Sequence, residues 1–124
     1  MGNDDGGKRI MWKHFKEDEI IGLHPPLVDM LDAARELCGF ALVITSGYRD
    51  PAKNAEVGGV PDSAHTKGLA VDLSAPKDSV LKEKMAWALG RVGFRRVFRY
   101  QNHVHVDVDA EKVQDIFKEE GYGV

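Results

Sequence analysis

Cysteine occurs once in this chain, at position 38, so no intrachain disulfide can form and a thiolate-rich structural zinc site is excluded. Cys38 closes the helical pattern LDAARELCGF and reads as a small buried apolar residue rather than a reactive thiol. Long apolar runs are missing as well: no stretch approaches the roughly 18 to 20 apolar residues that a spanning helix needs. The first residues, MGNDDGGKRIMW, carry acids and glycines where a secretory leader has a basic start and an apolar run. Synthesis in the cytoplasm without a signal peptide is therefore expected. Charge of one sign is not in excess either. The formal net charge is -3 with both signs mixed along the chain, which gives no footprint for a nucleic-acid partner. Internal repeats and low-complexity tracts are absent, and no exposed apolar stripe argues for assembly, so a monomer is expected.

What is present suits one modest core. A chain of 124 residues has room for a single domain, here expected over residues 9–124 behind a loose, glycine-rich tail at 1–8. A short helix or turn is expected from Lys16. Leu27, Met30, Leu31, Ala34, Leu37 and Cys38 recur at the spacing of an amphipathic helix, with proline at its start and Gly39 as its stop. FALVIT reads as a short buried strand that delivers Arg49 to a loop. PAKNAEVGG supports a helical turn or two, and VPDSAHTKG reads as loop. LAVDLSA alternates as a strand, with Leu69, Val71 and Leu73 on one face and Ala70, Asp72 and Ser74 on the other. A second amphipathic helix runs from Ser79 to Arg91 through Val80, Leu81, Met85, Ala88 and Leu89, capped by Asp78 or Ser79. FRRVFRY and HVHVDVD form a hairpin across Gln101-Asn102. Its second strand puts His103, His105 and Asp107 on one face and Val104, Val106 and Val108 on the other. A short closing helix is expected from AEKVQDIFKEEG. Trp12 and Trp87 are expected as core or rim aromatics.

The chemistry concentrates in SAHTKGLAVD, residues 63–72, and in HVHVD, residues 103–107. Catalytic zinc takes three nitrogen or carboxylate ligands and leaves a position for water. His65 and Asp72 offer two, and the HVHVD run is the source of the third, read as His105. Such a site needs further groups to hold substrate and stabilise an oxyanion. His103, on the same strand face as His105, and the permanent cation Arg49 are the candidates. His14 and His24 have no spaced partners and read as surface or packing residues.

SAHTKGLAVD resembles the SxHxxGxAxD signature of the zinc D-alanyl-D-alanine carboxypeptidases and related peptidoglycan peptidases, the group that shares a fold with the hedgehog signalling domain. SGYRDPAKNAEVGG is similar to the segment that precedes this signature, and HVHVDVD to the strand with the family's last ligand. The likeness spans residues 40–109 in matching order. It implies an α+β fold, a small antiparallel sheet with helices packed on one side, and one zinc ion per chain held by His65, Asp72 and His105. It implies catalytic roles for His103 and Arg49, and it sets Arg49, Ser63 and Tyr48 at the substrate. Asp107 is expected behind the ligands, orienting an imidazole. Where other members carry a glutamate base three residues before the last zinc histidine, this chain has Asn102, so a glutamate-base mechanism is not expected. The implied substrate is the peptide stem of bacterial peptidoglycan, reached at the cell wall after release or export. The expected activity is that of a D-Ala-D-Ala carboxypeptidase, phage or prophage encoded. An endolysin cutting an L-Ala-D-Glu bond and a non-catalytic zinc-binding recognition module are the alternatives.

Overall fold

The computed structural model of the protein describes residues 12–115. The expected tail at 1–8 and the second half of the expected closing helix lie outside them. After a 3-10 turn at Glu17–Glu19 comes α1, Pro25–Cys38, with both prolines in the first turn, where a missing N–H leaves no intrahelical bond unmade. Gly39 ends it in the left-handed region, φ 83°, its N–H donating to the Arg35 carbonyl. Leu27, Val28, Leu31, Ala34 and Cys38 are buried, each leucine contributing about 1.5–3 kcal/mol. Leu37, expected inside, is largely exposed.

The other long helix, α3, Ser79–Arg91, begins at Asp78, whose carboxylate accepts the Val80 and Leu81 N–H groups. Met85, Ala88 and Leu89 point into the core, whereas Val80 and Leu81, expected on the same stripe, are exposed, as is Trp87. Trp87 follows Met85 by two residues, a rotation of about 200°, which turns it away from the packed stripe. Trp12 is partly buried against the core, its indole N–H donating to Asp29.

The two helices pack together and cover one face of a four-stranded sheet, ordered β1-β2-β4-β3, in which every neighbouring pair is antiparallel. The strands are β1 Ile44–Ser46, β2 Ala70–Ser74, β3 Arg96–Arg99 and β4 His103–Asp107. The first strand is shorter than FALVIT suggested. Only its last residues join the sheet, its register is irregular between Ile44 and Ser46, and Val43 faces solvent. A six-residue helix, α2, Pro51–Glu56, follows the strand, and Ala64–Lys67, expected as loop, closes into a 3-10 turn.

β3 and β4 form the expected two-residue hairpin, with the Tyr100 N–H donating to the His103 carbonyl at 2.8 Å. Because side chains alternate, the register sorts the sheet into two faces. Val71, Leu73, Val97, Val104 and Val106 meet the helices. On the other face Asp72, His105 and Phe98 lie in one row across β2, β4 and β3, and Ala70, Asp107 and Arg96 in the next. Residues 110–115, expected to open a closing helix, instead form turns. Asp115 spends its backbone on the edge of β3, accepting the Val97 N–H and donating to the Arg95 carbonyl. Among the described residues no helix is long and apolar enough to cross a membrane.

Gly68 turns the chain from the 3-10 segment into β2 at φ +73°, and a Cβ there would collide with the Gly22 carbonyl oxygen. The Gly68 carbonyl accepts the His24 N–H at 3.0 Å, which locks this turn onto the start of α1. Strain and collision act together. Gly68→Ala is expected to cost about 2–4 kcal/mol in urea unfolding; a loss below 1 kcal/mol would show that the turn relaxes freely.

Candidate metal centre and cleft

Three side chains converge behind the cleft floor: His65 from the 3-10 turn, Asp72 from β2 and His105 from β4. One donor atom from each lies within 4.8 Å of the others. His65 Nε2 is 3.3 Å and His105 Nδ1 is 3.0 Å from Asp72 Oδ1. Donors about 2.0–2.1 Å from a tetrahedral ion sit ~3.3 Å apart, so the spacing fits zinc.

The loop after β1 orients the first histidine. His65 donates Nδ1–H to the Gly47 carbonyl at 2.8 Å, and its own carbonyl accepts the Arg49 N–H. That bond leaves Nε2 as the atom with a free lone pair, buried and without a hydrogen-bond partner. An orphaned, buried imidazole nitrogen aimed at a carboxylate and a second imidazole is costly unless something binds there. Burial opposes charge on Asp72, but its contacts with His105 and His65 outweigh that and hold its carboxyl far below the usual range. It therefore stays anionic at every physiological pH.

His105 is oriented from the opposite side. Its Nε2 lies 2.7 Å from Asp107 Oδ2, and Asp107, fully buried, is clamped by Arg96 Nε and Nη2, both at 2.7 Å. Nδ1 is thereby turned to Asp72. Burial opposes protonation of His105, yet Asp107 and Asp72 together raise its affinity for a proton. Phe98 stacks on the ring, centroids 5.7 Å apart.

In front of this cluster a cleft of about 820 Å³ is walled by the loop after β1, by α2 with the Val57–Val60 turn, and by Asp72 and His103. His103 stacks on Tyr100 at 4.6 Å. Burial, only partly countered by Asp72, pushes its imidazole below the ordinary value, so it is neutral at pH 7. Arg49 reaches the cleft with its guanidinium largely committed: Nε donates to Ser46 Oγ at 3.2 Å, Nη1 to Asn54 Oδ1 at 2.9 Å, and Nη2 lies 3.6 Å from Asp72 Oδ2.

Of the remaining expected residues, Tyr48 lines the cleft, half exposed. Ser63 does not. It is buried at the start of the 3-10 turn, its hydroxyl accepting the His65 N–H, which makes it a cap for the loop rather than a group facing substrate. His14 pairs with Glu36 on α1, and His24 is exposed beside Gly68; neither belongs to the three-residue cluster. Asn102, in the position where a glutamate base was not expected, is exposed in the hairpin turn.

Sequence reasoning missed Arg96 and Asn54. Arg96 was legible in principle, since counting back from the two-residue hairpin pairs it with Asp107. Asn54, buried in α2, donates to the Val60 carbonyl at 2.7 Å while accepting from Arg49, which ties the cleft wall to the floor. A Cβ at Gly59 would run into Asn54 and Arg49, so the glycine that seemed only to break the helix lets this wall close.

A family model for peptidase M15 matches residues 11–107. The fold is similar to the crystal structure of Serratia marcescens L-Ala D-Glu endopeptidase ChiX, with a TM-score of 0.56 and 21% sequence identity over 73% of this chain and 84% of that one. No curated protein matches the chain.

Proposed function

We propose, from the premise that this chain belongs to peptidase family M15, that residues 9–124 act as one zinc-dependent endopeptidase domain that cuts peptide stems of bacterial peptidoglycan. The observation that carries the zinc reading is the buried, unpartnered Nε2 of His65 facing Asp72 and His105. His65, Asp72 and His105 would hold the ion. Bound there, zinc supplies a Lewis acid and brings the pKa of water to ~7. The protein's own groups do the rest. Gly47 and Asp107 each fix the tautomer of one ligand histidine, and Arg96 balances the buried charge of Asp107. His103, neutral on the cleft wall, donates a hydrogen bond to the oxyanion that develops as the peptide carbonyl becomes tetrahedral. Arg49 positions Asp72 and braces the wall through Asn54.

The engagement of Arg49 favours internal cleavage. A D,D-carboxypeptidase must grip a terminal carboxylate next to the scissile bond, a task suited to a forked guanidinium. Here that fork is spread over Ser46, Asn54 and Asp72. A likeness of fold to an L-Ala D-Glu endopeptidase supports the same side. The carboxypeptidase reading remains the alternative, should substrate draw Arg49 from its partners. Mass spectrometry of muropeptides incubated with zinc-loaded protein decides: release of a D-Glu-containing fragment after L-Ala is the expected result, loss of a terminal D-alanine supports the carboxypeptidase, and no cleavage by protein with zinc bound overturns both.

The support behind His105 has its own test. Asp107→Asn is expected to weaken zinc binding about 10- to 100-fold in chelator competition, because the ligand imidazole loses its anionic partner. It also leaves Arg96 without its counter-charge, so the zinc-free protein should lose about 1–3 kcal/mol. Unchanged affinity would mean that Asp107 is there for Arg96 alone.

A further inference from the structure

The cleft holds a second cation besides Arg49, and the two are held differently. Arg49 is mostly buried, hydrogen-bonded through Nε and Nη1 and ion-paired through Nη2 to the protein's own groups. Lys53, on α2, lines the same cleft with its side chain 58% exposed, and its ion pair among the described residues is a long one, 3.9 Å to the exposed Glu56. A pair of that length at the surface contributes little and gives way easily. The acidic residue lining the cleft is Asp72, turned to the histidines and Arg49. Around Lys53 the wall offers Val57, Val60 and Tyr48, all about half exposed, together with the backbone of Gly58 and Gly59. This wall therefore presents one exposed positive charge on an otherwise apolar and glycine-lined surface. That combination suits a peptide with small apolar side chains and one anionic group.

We infer that Lys53 reads a free carboxylate on the substrate residue bordering the scissile bond, so that the enzyme prefers stems whose D-glutamate keeps its α-carboxylate over stems in which that group is amidated. This rests on the peptidase reading above and adds to it the specificity. The carboxylate displaces Glu56 from the ammonium, and an exposed charge pair of this kind amounts to about fivefold in kcat/KM. Since the contact is made in the bound complex as well as in the transition state, it is expressed in KM rather than in kcat.

The experiment compares L-Ala-γ-D-Glu-L-Lys with the same tripeptide carrying D-isoglutamine, using zinc-loaded wild type, Lys53→Gln and Lys53→Arg. Wild type is expected to favour the free acid about fivefold at low salt, with the preference shrinking as ionic strength rises. In Lys53→Gln the ratio should fall to about one through a higher KM for the acid, and Lys53→Arg should restore it. A wild-type ratio near one, or a ratio unchanged in Lys53→Gln, overturns the role of Lys53 and leaves the peptidase reading standing. Cleavage of neither tripeptide overturns the role of Lys53 and the endopeptidase reading together.

Discussion

His65→Ala is expected to remove zinc binding and peptidase activity together, the largest effect of any single substitution in this protein. In the proposed site His65 would supply one of three donors, and its buried Nε2 has no hydrogen-bond partner, with Asp72 Oδ1 at 3.3 Å. Loss of an outer partner costs about 10- to 100-fold in metal affinity, and loss of a ligand should exceed that range. Metal content after gel filtration should fall from about one ion per chain to none. The fold provides an independent readout, because a ligand that binds only the native state raises its stability in proportion to the logarithm of ligand excess over Kd. Zinc should therefore raise the melting temperature of wild type and leave that of His65→Ala unmoved. The zinc-free variant should itself be about 1–3 kcal/mol less stable, since the Gly47 carbonyl loses the donor at 2.8 Å. A zinc-dependent shift of wild-type size in His65→Ala would remove His65 from the ligand set.

His103→Ala should separate chemistry from metal binding. The residue is two positions from His105 on the same strand face, yet it lines the open cleft and stacks on Tyr100, whereas His105 is buried against Asp107. Removing a preorganised donor to a developing oxyanion lowers kcat by about 100- to 1000-fold. Zinc content and the zinc-dependent rise in melting temperature should stay at wild-type values. Equal loss of metal in His103→Ala and His65→Ala would contradict this division, and an unchanged kcat would place His103 outside the chemistry.

Much of the fold was legible because its signals are local. The prolines and Gly39 that bound α1, the Asp78 cap of α3 and the alternation of valines in β4 act through neighbouring residues, so the chain order alone reveals them. The misreadings are the places where a tertiary contact overrides local pattern. FALVIT has the composition of a buried strand, but it lies at the sheet edge and its strand begins only at Ile44. The stretch read as helical from residue 110 instead begins in turns, and the Asp115 backbone pairs with the edge of β3. Ser63, part of the motif, caps a turn that the sequence presents as loop.

The sequence by itself determined the candidate ligands, because residue type and the order of SAHTKGLAVD and HVHVD limit which side chains can supply nitrogen and carboxylate oxygen. It also determined which face of β4 carries His103, His105 and Asp107, since strand alternation is a property of the backbone. Only the tertiary structure decided how those groups are divided. Burial and the Arg96–Asp107 pair turn His105 inward while His103 stays on the cleft wall, although the two are chemically identical and share a strand face. The same packing binds Arg49 to Ser46, Asn54 and Asp72 and leaves Lys53 exposed on the cleft wall, 3.9 Å from Glu56. Which cation is spent on the protein and which stays exposed on the cleft wall depends on distances between residues on separate elements, and residue order does not encode such distances until the chain has folded.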